Sequence, residues 1–131
     1  MKIYIRRRLT PDELLTLIGS LEVRGWSEDA KQLAEVYMAY EEEGELSYSV
    51  EEEITDDISR KILSLRIVKL INLLKQKDGL SISEIARELN RSPSNVYVDL
   101  KLLSKHKLVY LERQGKRTIP HLIVEELHVI F

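Results

Sequence analysis

Between Arg91 and Lys105 the chain reads RSPSNVYVDLKLLSK, a run whose polar side chains suit recognition of a polyanion rather than bond-making. Ser92 is an N-cap residue and Pro93 stands at the first helical position, so a helix should begin there. At about 100° per residue, Val96, Leu100 and Leu103 fall in one narrow stripe, with Ser94, Val98, Lys101 and Lys105 opposite. On the outward face Ser94 and Asn95, near the positive end of the helix, suit phosphate or adenine. Tyr97 suits phosphate, and Lys101 suits guanine or phosphate. Val98, at the centre of that face, offers only apolar contact with a thymine methyl. Leu102 lies to one side, where cover by a neighbouring segment and a protein-binding patch both remain open. Asp99 sits at the edge of the core stripe; a carboxylate facing DNA would be repelled, so pairing with a basic group of its own domain is expected.

Other chemistries find little support. The chain has no cysteine, which removes disulfides, thiolate metal sites and cysteine nucleophiles. His106, His121 and His128 have no second ligand at helical spacing, so no metal site is expected. No nucleophile, base and oxyanion donor can be assembled, so neither an enzyme nor a cofactor is expected. A hydrophobic share of 44% with 32% charged residues describes a chain that folds in water. No run approaches the roughly 18 apolar residues of a membrane span, and Met1 to Arg8 lacks the apolar centre of a secretory signal, so a cytoplasmic location is expected. Abundant Lys, Glu, Ile and Leu with few Asn and Gln lean toward a thermophile-like composition.

The net charge of −2 conceals a division. Residues 1–57 hold 6 basic and 15 acidic side chains, a balance of −9, whereas residues 58–131 hold 14 basic and 7 acidic, a balance of +7. Such asymmetry suggests that the basic part meets a polyanion.

The elements around the helix strengthen this reading. Ser81 and Glu84 form a capping box for a shorter helix whose inner stripe is Ile82, Ile85, Ala86 and Leu89. The turn Asn90–Arg91 then leads into the second helix, a helix-turn-helix order. After it, LVYLERQGKRTIPHL reads as two strands joined around Gln114 and Gly115, with Arg113, Lys116 and Arg117 at the tip, where a wing would meet phosphates or the minor groove. Upstream, ISRKILSLRIVKLINLLKQK reads as one long amphipathic helix, apolar over more than a single face.

From Leu65 onward the chain resembles winged-helix transcriptional regulators of the broad MarR and ArsR type, and most of all small archaeal and bacterial regulators. The resemblance is carried by Ser81, Ile82, Glu84, Ile85, Ala86, Arg87, Leu89 and Arg91, then Asn95, Val96, Asp99, Leu100, Lys101 and Leu103. Leu108, Val109, Gly115, Lys116, Arg117, Pro120 and Glu126 continue it. It implies a homodimer on a palindromic double-stranded DNA operator, with Arg91, Ser92, Ser94, Asn95, Tyr97, Val98, Lys101, Lys105, Arg113, Lys116 and Arg117 as DNA contacts. Two positions depart from the pattern. Lys107 stands where a glycine usually ends the recognition helix, and Val98 where relatives commonly have arginine.

Residues 1–57 read as a β-α-α-β extension: a strand in KIYIRRR, a helix capped by Thr10, Pro11 and Glu13, a second helix after Ser27 stopped by Gly44, and a strand in ELSYSV. So small a unit should pack on the rest or on a copy. The expected fold is therefore α+β, a winged helix-turn-helix domain (58–131) preceded by a dimerisation or partner-binding extension (1–57). Ile3, Ile5, Ile58, Ile62 and Leu65 are the expected dimer contacts. A different class of function also fits: an antitoxin-like or other protein-binding module whose acidic front neutralises a basic partner protein.

Overall fold

The computed structural model describes residues 1–43 and 48–131. It is an α+β fold in which six helices accompany a three-stranded antiparallel sheet and a separate β-hairpin. The chain opens with β1 (Lys2–Arg8), α1 (Pro11–Val23), α2 (Ser27–Glu43) and β2 (Ser49–Ile54). The predicted stop at Gly44 and the first part of ELSYSV lie outside the described residues. Where it is described, β2 runs further than predicted, through Glu51, Glu52 and Glu53. Pairing with β1 sets Glu51 opposite Arg6 and Glu53 opposite Tyr4. Cross-strand partners thus override the weak intrinsic preference of glutamate for strands.

The predicted long helix is two helices, α3 (Asp56–Ile62) and α4 (Leu65–Gln76). Leu63 leaves helical geometry at ψ 2° and Ser64 is extended at ψ 146°, its hydroxyl donating to the Lys61 carbonyl at 2.9 Å. This corner resolves the apolar excess of the segment. Ile62 turns into the core while Leu63 and Leu65 remain on the surface.

Helices α5 (Ile82–Leu89) and α6 (Pro93–Lys105) follow, then the hairpin of β3 (Val109–Gln114) and β4 (Arg117–Leu122), and finally β5 (Val124–Ile130). β5 was not foreseen, and it changes the organisation. It pairs with β1, giving the order β2-β1-β5, so the chain's two ends share one sheet. The division at residue 57 therefore does not divide the sheet.

Ile5 of β1 is buried in the same core as Leu70, Ile85, Val96, Leu100 and Leu103, with Leu127 of β5 packed beside it. Three of the five expected dimer contacts serve the chain's own core instead. Ile3, Ile5 and Ile62 are buried within the chain itself, and Ile58 is half-buried against the same core. Leu65, 71% exposed, is open to a partner. A second, smaller cluster joins Leu9, Leu14, Leu21, Ala30 and Leu33 between α1 and α2.

Candidate nucleic-acid interface

The site is built on two short helices whose ends are set by local chemistry. In α5, the Ser81 hydroxyl accepts from the Glu84 amide at 3.3 Å, and the Glu84 carboxylate accepts from the Ser81 amide at 3.1 Å. Asn90 closes the helix in the left-handed region at φ 53°, a conformation asparagine tolerates better than most residues. That single residue reverses the chain so that α6 can cross α5, with Ala86 and Val96 both buried in the shared core.

α6 ends on a stranger residue. Lys107 adopts φ 60°, the left-handed conformation that the missing glycine would have taken without cost. The Leu108 amide donates to the Leu103 carbonyl at 2.8 Å and the Lys107 amide to Ser104 at 3.0 Å, the paired bonds of a Schellman ending. The Lys107 ammonium bonds Glu13 of α1 at 3.0 Å, so the end of α6 is tied to the extension.

Glu13 is a junction. It caps α1 through Thr10, chelates the buried Arg7 guanidinium at 2.9 and 3.0 Å, and receives Lys107. Burial pushes its carboxyl up, but the hydrogen bonds from Arg7, Thr10 and Lys107 outweigh that and hold it at about 2. Arg7 is raised in turn: burial opposes its charge, and hydrogen bonds to Glu13 and Glu52 more than restore it.

Among the predicted DNA contacts, Ser92, Ser94, Asn95, Tyr97, Val98, Lys101 and Lys105 all reach the surface along α6. Val98 is 64% exposed at the middle of that face. The Lys101 ammonium sits 5.9 Å from the Tyr97 ring centre, a cation–π contact that aligns the two. The Ser92 oxygen accepts the Asn95 amide at 3.3 Å, so Ser92 serves first as the helix cap. Leu102 is half-buried and lines an open groove together with Arg60, Ser64, Arg66 and Ile67 of the α3–α4 corner.

Two predicted contacts are engaged elsewhere. Asp99 is only 4% exposed and accepts from Arg91 at 2.7 Å and Arg66 at 2.9 Å. The internal partners of Asp99 are therefore Arg91 and Arg66, and Arg91, expected at the DNA, is tied to this carboxylate. A carboxylate so enclosed needs cations beside it, and Arg91 is the nearest residue able to swing under the helix. Arg117 folds back from the hairpin onto Glu84 of α5. The Glu84 carboxyl lies below its usual range, chiefly through the Ser81 backbone and hydroxyl bonds, with Arg117 adding to them.

The hairpin tip consists of Gly115 at φ 63° and Lys116, with Gln114 paired to Arg117. Positive φ at the first of two central residues is the preference of tight hairpin turns that match strand twist. Arg113 and Lys116 are exposed, and among the described residues no ion pair engages them, nor Lys101 or Lys105.

Arg66 and Lys69 were overlooked in the sequence. Both lie on α4 and, with Leu65, Leu89 and Arg91, line a groove of about 430 Å³. Their i, i+3 spacing on one flank of an otherwise apolar segment was the available signal. Among the described residues no helix is long and apolar enough to cross a membrane.

Comparison with known proteins adds one match: a family model described as HVO_A0114 covers residues 62–129. No curated protein matches the chain.

Proposed function

The chain belongs to the HVO_A0114 family, and from that premise we propose that it is a cytoplasmic, sequence-specific double-stranded DNA-binding regulator of winged helix-turn-helix type, acting as a homodimer on a palindromic operator. The observation that carries this reading is the face of α6. Tyr97, Val98, Lys101 and Lys105 are contiguous and exposed, and neither lysine is engaged by a carboxylate among the described residues. An enclosed acid, Asp99, is meanwhile neutralised on the inward side by two arginines. A surface helix kept for solubility alone would carry both signs at helical spacing, whereas this one presents cations, an amide and an aromatic ring to the outside.

In this reading α6 enters the major groove with its N-terminal residues toward the bases. Asn95 pairs with adenine, Lys101 with guanine or phosphate, and Val98 packs on a thymine methyl. β3 and β4 form the wing, and Arg113 and Lys116 grip phosphates. Lys69 extends the cationic surface from α4.

The test separates base reading from charge. Replacing Asn95 and Lys101 together by Ala should remove discrimination between operator and unrelated duplex in fluorescence anisotropy. Replacing Arg113 and Lys116 by Ala should weaken all duplexes alike and lower the dependence of log affinity on log salt by about 2, near one per lost phosphate contact. Unchanged footprint protection by the Asn95→Ala/Lys101→Ala protein would overturn the groove assignment.

A further inference from the structure

Among the described residues the sheet β2-β1-β5 has two free edges, and they differ in what they could accept. A free edge is a row of unpaired backbone donors and acceptors, and natural proteins either guard it or use it. β2 is guarded: Glu51, Glu52 and Glu53 stand in succession along it, so a second β2 laid against it would bring carboxylates opposite carboxylates. β5 carries no such run. From Glu126 onward its backbone pairs with β1 alone among the described residues, and Val129 and Ile130 are 42% and 57% exposed.

We propose that β5 is the homodimer interface, pairing antiparallel with β5 of a second copy to make a continuous six-stranded sheet centred on Leu127. This rests on the homodimer part of the functional reading above and supplies the surface for it. The register follows from avoiding like charges and from hydrogen-bond complementarity. With a two-fold axis perpendicular to the sheet, opposed residues must share a face, so the centre falls on a residue and its neighbours pair crosswise. Centred on Leu127, Glu126 of each copy lies opposite His128 of the other, and Leu127 meets its own counterpart. A centre on Glu126 sets carboxylate against carboxylate, and a centre on His128 sets Glu126 against Ile130.

The outer face is already arranged for the first register. Arg6 lies opposite Glu126 and bonds it at 2.7 Å, and His128 lies opposite Tyr4, its ring nitrogen 2.6 Å from the Glu126 carboxylate. In the pair, each Glu126 stands between its own Arg6 and His128 of the second copy, a self-complementary row. The inner face brings Leu127 and Val129 over the Ile3 and Ile5 side of β1. The acidic β2 edges then lie at the two outer margins of the six strands, where they prevent further growth of the sheet.

The placement also bears on DNA spacing. The Ile123 and Val124 amides both donate to the Leu108 carbonyl at 3.0 Å, so β5 starts from the residue that closes the Schellman ending of α6. A two-fold axis through β5 would transmit its geometry to both recognition helices over a short, hydrogen-bonded path.

Sedimentation equilibrium of the full chain and two charge variants tests this. Wild type and His128→Lys should be dimers, the lysine facing Glu126 of the second copy, whereas His128→Glu should dissociate at least tenfold more readily. Adding Glu126→Lys to His128→Glu should restore association. Amide exchange over 125–130 in wild type should slow with rising protein concentration, as edge groups become paired. A monomeric wild type, or equal association of His128→Lys and His128→Glu, overturns the β5 interface. Duplex binding measured on the same samples keeps the two readings apart: a monomer that still discriminates its operator sinks the interface and leaves the DNA assignment standing. A dimer unaffected by residue 128 places the two-fold axis elsewhere.

Discussion

The helical pair α1–α2 and the bundle α4–α6 are both amphipathic helices closed over aliphatic side chains, yet they hold their positions by different means. The bundle shares one continuous core with Ile5 of β1, and Ile67, Leu70, Ile85, Val96 and Leu100 in it are essentially inaccessible. Each such side chain contributes about 1.5–3 kcal/mol through removal from water. Among the described residues the pair has four buried hydrophobic residues of its own, Leu14, Leu21, Ala30 and Leu33, joined by Leu9 and flanked by half-buried Leu17, Ile18, Val36 and three tyrosines. It is fastened to the sheet and to the end of α6 by charge: Glu13 holds Arg7 of β1 and Lys107 beyond α6. The lesson is that apolar area decides whether a unit folds, while a few directional polar contacts decide where a small unit sits.

The contrast is broken most severely by emptying a core position. Leu100→Ala should destabilise the protein by about 2–5 kcal/mol, with Leu14→Ala toward the low end of that range because the smaller cluster can collapse more completely. Urea unfolding followed by circular dichroism measures both. If Leu14→Ala costs as much as Leu100→Ala, the α1–α2 cluster is no satellite.

A smaller effect isolates the polar junction. Because the Glu13 carboxyl in the folded chain lies at about 2, below its ordinary 4.5, its stabilisation is fully present above 4.5. It declines as pH falls below that value and is gone once pH passes below about 2. Glu13→Gln should therefore be less stable than wild type at pH 7, and the gap between the two urea midpoints should close on acidification through that window. A gap that stays constant from pH 7 to pH 2 would remove the charged junction from the account.

The smallest expected effect concerns Lys107. Lys107→Gly removes the left-handed strain but loses the bond to Glu13, while Lys107→Ala keeps the strain and loses the bond as well. The glycine variant should exceed the alanine variant by about 1 kcal/mol in thermal or urea unfolding. Equal stability would mean that φ 60° carries no strain at this position.

Much of the local structure was legible in the sequence because its causes are local. Thr10 with Glu13 and Ser81 with Glu84 form the capping boxes expected of them, and Ser92 with Pro93 opens α6 where expected. The inward stripe Val96, Leu100, Leu103 is buried as the helical period requires, and Asp99 turns to a basic partner. In α1, Leu14 and Leu21 are buried with Leu17 and Ile18 packed beside them, while Leu15 is exposed. β5 was missed because Val124–Ile130 lacks strict alternation, and Glu125, skipped where the register with Arg6 and Arg7 of β1 shifts, breaks the period further.

What the sequence determined alone was the set of helices with their caps, the outward face of α6 and the charge asymmetry between front and back, all properties of neighbours within a few residues. Only the tertiary structure decided that Arg91 turns inward to Asp99 while Arg117 pairs with Glu84 at the surface, that Ile3, Ile5 and Ile62 serve the chain's own core, and that β1 and β5 share a sheet. The reason is physical. A long cation can reach either solvent or a carboxylate, and an isoleucine can bury against any apolar surface. The choice depends on which partner the fold brings within a few ångströms, and spacing along the chain does not record it.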